Sequence, residues 1–169
     1  MNRVTTIDGV TLFNSAHPLV GPQGGTYSNI LSPAADVSVT AFQDMCILFE
    51  NQVDERGLKV QISPTDVWFA PELQFIAARV LKTTLEPGTG NNDINPVQGK
   101  FTPHILHYLT SKTHWYVNAS GENKLKFKWR KKPITDATDD YETKGSKHSI
   151  RFRCSAGATD WRGWAASLA

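Results

Sequence analysis

Apolar residues recur at three- and four-residue steps through Val39, Phe42, Met45, Cys46, Phe49 and Val53. That spacing is one face of an amphipathic helix and predicts a helix within residues 33–53. Ser38 is placed to cap its start. Gly57, after Asp54-Glu55-Arg56, is placed to follow its last turn. A second helical face runs through Leu73, Ile76, Ala77, Val80 and Leu81. Pro71 suits the first turn, where no N–H is needed, and Lys82 the last, where a cation suits the dipole.

Elsewhere the period shortens to two, the spacing of strands. Lys59–Ile62 alternates, with Val60 and Ile62 on one side; Ser63-Pro64-Thr65-Asp66 reads as a turn and Val67–Phe69 as a short strand. Phe101–Leu109 reads as a strand, with Pro103 setting it at an edge or an entry. Thr113–Asn118 is another. In Lys124–Arg130 the residues Leu125, Phe127 and Trp129 point inward. Lys124, Lys126, Lys128 and Arg130 point outward, which predicts a half-buried strand with a cationic face. Pro133 stops it, and 135–147 reads as polar and mobile. His148–Ser155 alternates again, with Ile150, Phe152 and Cys154 opposite Arg151 and Arg153.

Two stretches lack a long period. Residues 1–31 are irregular, with a short strand pair around Asp8-Gly9, and are expected to lie across another surface. Residues 84–99, TLEPGTGNNDINPVQG, form a long polar loop of the kind used for binding or display. The predicted order is loop, helix, two strands, helix, long loop, four strands. That order gives an α+β fold with two main helices and a mixed, mostly antiparallel sheet.

A chain of 169 residues is one domain, or one with appendages, and can bury roughly 70% of its unfolded surface. The net charge of +2 creates no strong field over the whole protein. Its distribution matters more, because Lys124–Lys132 is basic and Asp136–Glu142 acidic. Two cysteines make no disulfide framework and fit a reducing compartment. No apolar run approaches the ~18 residues of a membrane span.

Catalytic and metal chemistry find little support. His104, His107 and His114 suggest a zinc check, but positions i and i+3 on a strand face opposite ways and no partner ligand is spaced for it. The Gly-rich stretches lack the lysine and the helix context of a phosphate loop. No nucleophile elbow is present. We therefore expect no catalytic residue, no cofactor and no metal. The cationic strand has the composition of a backbone-binding face for nucleic acid, through Lys124, Lys126, Lys128 and Arg130. Its aromatics face away from its lysines, which disfavours base stacking.

The helix Asp36–Val53 with FENQVDERGLKV, then PTDVWFAPELQFIAARVLKTTLEPGTGNNDIN, resembles the C-terminal portion of tailed-bacteriophage major capsid proteins. LFNSAHPLVGPQGGTYSN upstream and a DWRGW-like ending downstream extend the resemblance from about Thr11 to Trp164. It implies a Hong Kong 97-type capsid fold. Residues 1–31 would be an irregular lead segment, 32–147 an axial-domain-like core, and 148–169 a strand and tail returning to a peripheral domain. It also implies a structural subunit that self-assembles in the host bacterial cytoplasm into an icosahedral head around double-stranded DNA. Other partners would be scaffolding, portal or decoration proteins. Glu86, Thr89, Asn91, Asn92, Asp93 and Asn95 of the loop, with Trp161 and Trp164, are the candidate subunit contacts. Capsid subunits of this kind are longer, the extra length preceding this start, so the chain reads as a fragment or a divergent short relative. The rival reading is a nucleic-acid-binding module built on residues 124–132.

Overall fold

The computed structural model describes residues 4–21, 24–86 and 93–169. Helix α1 spans Val39–Glu50, with Ser38 Oγ accepting from the Ala41 N–H at 3.2 Å. It buries Val39, Ala41, Phe42, Met45, Cys46 and Phe49, the apolar period seen in the sequence. The helix ends at Asn51, earlier than Gly57 suggests. Gly57 instead adopts φ +83° in a separate turn, where Asp54 Oδ1 accepts from the N–H groups of Arg56 and Leu58. A 3-10 turn, Pro71–Leu73, leads into α2, Gln74–Lys82. Ala77, Val80 and Leu81 of α2 are buried, while Ile76 faces outward.

Four short strands form the central sheet: β3 (Asp66–Phe69), β4 (Thr102–Ile105), β5 (Trp115–Asn118) and β8 (Trp164–Ser167). Their spatial order is β4-β3-β5-β8. The β3–β4 pair is parallel, and the other two pairs are antiparallel. Alternation splits the sheet into two faces. Val67, Phe69, Trp115, Val117 and Ala165 join the α1–α2 core. Tyr116, Trp164 and Ala166 face a second cluster with Leu12, Phe13 and Trp161.

The N-terminal segment covers that second face. It carries a bridge between Thr5 and Thr11 around the Asp8-Gly9 turn, and a two-residue pairing of β1 (His17–Pro18) with β2 (Thr26–Tyr27). His17 is fully buried, stacked on Trp161 at 4.5 Å, with its Nδ1 2.7 Å from Asp8 Oδ2. Burial by itself would raise the Asp8 carboxyl. Hydrogen bonds from Thr6, His17 and the Val10 N–H, with the His17 charge, outweigh it and hold Asp8 below the ordinary 3.8.

A lowered folded value contributes stability above the unfolded value and loses it as pH falls through the folded one. The segment is therefore expected to become protease-sensitive between about pH 5 and about pH 2. In Asp8→Asn that pH dependence flattens. Equal protection of the native segment at both ends of the range would refute the assignment.

Several sequence expectations change. Lys59–Ile62 forms no strand; Lys59 makes an isolated bridge to Val53, and Ile62 is buried from an extended connection. The Phe101–Leu109 strand is limited to Thr102–Ile105. Pro133 does not end its strand: β6 runs Leu125–Asp139, and register shifts between Trp129 and Ile134 accommodate the proline. Residues 135–147, read as mobile, supply the end of β6, a turn in which Asp140 N–H donates to Gly145 O at 2.8 Å, and the start of β7 (Ser146–Ala158).

Candidate assembly surface and cationic ribbon

Among the described residues, strands β6 and β7 pair only with each other, as a long antiparallel ribbon. Directly opposed residues share a face. The pairs Leu125–Ala158, Phe127–Ala156, Trp129–Cys154 and Thr135–Ile150 define one face. Phe127 and Trp129 meet edge-on at 5.2 Å, and Trp129 meets Phe152 at 6.1 Å. The other face carries Lys126 opposite Gly157, Lys128 opposite Ser155, and Lys131 opposite Arg153. Arg130 falls in the register shift between Trp129 and Lys131.

The inward assignment of the aromatics does not hold within the chain. Phe127, Trp129, Ile150 and Phe152 remain 60%, 42%, 66% and 57% exposed. Alternation identified a two-faced strand correctly, but beyond the base, where Leu125 and Ala158 join the second cluster, no described residue buries its apolar face. The lone sequence signal for the shared face was the matching alternation of His148–Ser155; the register that aligns the two strands is a tertiary fact.

Charge on the ribbon is partly compensated. Arg151 pairs with Asp136 and Lys147 with Asp140, each at 2.5 Å. Lys124 pairs with Glu122 at 2.9 Å, and that hydrogen bond and charge raise the lysine's pKa. Lys126, Lys128, Lys131 and Arg153 have no acidic partner among the described residues.

The loop candidates divide. Thr89, Asn91 and Asn92 lie outside the described residues. Glu86 and Asp93 sit at the loop's base, where Glu86 N–H donates to Asp93 O at 2.8 Å beside a Leu85–Ile94 bridge. Ile94 stands 80% exposed there. Asn95 is turned inward and caps α2, its Nδ2 donating to Val80 O at 2.6 Å and Thr83 O at 3.0 Å. Trp161 and Trp164 are buried beneath the chain's own N-terminal segment. That cover leaves their rings little surface for a second subunit.

His104 stacks on Trp68 at 4.3 Å and bonds Asp66 at 3.0 Å. Among the described residues no group of three or more His, Cys, Asp and Glu side chains is arranged to hold a metal. No helix among them is long and apolar enough to cross a membrane.

No curated protein matches the sequence. A family model described as phage capsid protein matches residues 2–167, nearly the whole length. The chain therefore belongs to the phage capsid protein family.

Proposed function

We propose that this chain is a shell-forming subunit of a tailed-phage head with a Hong Kong 97-type arrangement. Residues 32–147 would act as the axial-domain-like part and 148–169 as the return to a peripheral domain. The family is a structural one rather than an enzymatic one, and a capsid family belongs in the virion. Residues that match it from 2 to 167 carry the reading. Supporting it, the ribbon leaves a row of large apolar side chains exposed, the mark of a protein made to be covered by another. Copies of the chain would assemble in the bacterial cytoplasm into an icosahedral head enclosing double-stranded DNA, with scaffolding, portal or decoration proteins as further partners.

Electron microscopy of the purified protein tests this directly. Rings or closed shells are expected as concentration rises. Soluble monomers under all assembly conditions would defeat the proposal.

Lys126, Lys128, Lys131 and Arg153, on one face of the ribbon and without an acidic partner among the described residues, favour a second reading, non-specific contact with nucleic acid. Lys126→Glu with Lys128→Glu should weaken DNA binding and flatten its dependence on log salt by about 1.8 if each lysine neutralises one phosphate. An unchanged salt slope removes those two residues from any such contact.

A further inference from the structure

Two apolar surfaces of this chain lack a cover among the described residues, and they differ in shape. One is the ribbon face, an open aromatic strip centred on Phe127, Trp129, Ile150 and Phe152. Its base runs into an apolar cleft formed with Val4 and Leu12. The other is a groove of about 230 Å3 between α2 and β4, lined by Phe69, Phe75, Ala78, Lys82, Pro103 and Ile105. Phe75 is 77% exposed at its rim. The groove is smaller than the roughly 300–1,000 Å3 of small-molecule sites, so it suits a side-chain anchor better than a metabolite.

Charge says which partner brings the anchor. The ribbon, residues 124–158, holds ten Lys and Arg against four Asp and Glu, a formal +6. The rest of the chain holds eight against twelve, a formal −4. A ribbon is thus repelled by another ribbon and attracted to the body of another copy. Lys126, Lys128, Lys131 and Arg153 stand on the face opposite the aromatics, so docking the apolar face does not bury them. β4 is an edge of the central sheet, and Pro103 within it removes a backbone donor. That blunts pairing by strand addition and favours docking through side chains.

We propose that the apolar face of the β6–β7 ribbon seats on the α2–β4 groove of a second copy of this chain. Donor and acceptor are different patches, so the contact is head-to-tail and propagates into rings or sheets of subunits. Phe152 and Trp129 are the anchors, large aromatic side chains that contribute most to an interface once desolvated. The inference rests on the shell-subunit reading and specifies one of its contacts.

The chain carries its own reporter. Cys154 is exposed on the ribbon's apolar face, opposite Trp129, whereas Cys46 is buried in the core. Ala78→Cys places a second thiol in the groove. Mild oxidation of that full-length variant should give a ladder of dimers, trimers and larger species on a non-reducing gel. Cys154→Ser in the same background should abolish it. Phe152→Asp, at an exposed position, should weaken association about tenfold or more with an unchanged circular dichroism spectrum. A wild-type disulfide that stops at the dimer means that ribbons meet each other, and overturns the proposal. Shells that form without the ladder also overturn it while leaving the shell reading intact. If the variant and the wild type form no assemblies at all, both readings fall.

Discussion

Trp115→Ala is expected to lower the unfolding free energy by about 3–5 kcal/mol, among the largest effects of any single truncation in this chain. The side chain is fully buried in β5, between β3 and β8. Its ring lies 4.9 Å from Phe42 of α1, and Phe42 in turn lies 5.1 Å from Phe101. Trp115 therefore joins the sheet to the first helix. Truncation loses transfer energy and leaves a cavity whose walls are helix and sheet, which collapse poorly. The hydrogen bond from Nε1 to Ala35 O, at 2.9 Å, adds less. Ala35 O keeps a second donor, Ser167 Oγ at 2.7 Å, so its loss is worth only about 1 kcal/mol. Against a typical total of about 5–15 kcal/mol, the sum leaves a marginal fold.

The check is urea unfolding at a concentration where subunits are dissociated, since assembly would add its own stability. The midpoint should fall with an unchanged m-value. Phe127→Ala, on the exposed ribbon, should change monomer stability by no more than about 0.5 kcal/mol. A Trp115→Ala loss below about 1 kcal/mol would mean that the sheet does not pack on α1 as described.

What could be read from residue order is what local physics determines. The α1 face was legible because six apolar residues at helical spacing allow few other structures, and Ser38 marked its start. Pro71 announced the turn before α2 for an equally local reason. Strand β8 was not legible. Its Ala165 and Ala166 are poor strand formers, and all four of its residues are buried, so no alternation shows. It exists because β5 on one side, and a core on each face, select small residues there. The parallel β3–β4 pairing is equally tertiary, since its two strands are separated by α2 and the long loop.

The ribbon shows a different limit. Period two revealed which residues share a face but not whether anything covers that face. Inward was the natural inference for Phe127 and Trp129, because alternation in a single chain points its apolar side to its own core. For a family built to assemble, the apolar side can be reserved for another molecule. The loop at 84–99 is split in the same way: Asn95 serves its own helix, while Ile94 is offered outward. Neither assignment is visible in a run of Asn, Gly and Pro.

Asn29→Ala carries the second large effect, and it reports on how the N-terminal segment is held. Asn29 is fully buried, and its amide contacts cross to other parts of the chain. Nδ2 donates to Leu12 O at 2.7 Å and to Trp164 O at 3.2 Å. Oδ1 accepts from the Asn14 N–H at 2.9 Å and faces His17 Nε2 at 3.2 Å. One side chain thus ties residues 12–17 to β8. Alanine leaves two carbonyls, one N–H and one ring nitrogen without that partner. Each buried orphan costs about 1–3 kcal/mol, reduced where water can enter. A loss of about 3–5 kcal/mol is expected, comparable to Trp115→Ala but local in character. The segment should open before the sheet does. Opening uncovers Trp161 and Trp164, so a red shift in tryptophan emission and early cleavage within residues 4–18 should precede global unfolding. If the segment stays as protected as in the native chain, or if sheet and segment unfold together at every denaturant concentration, then Asn29 is not the latch.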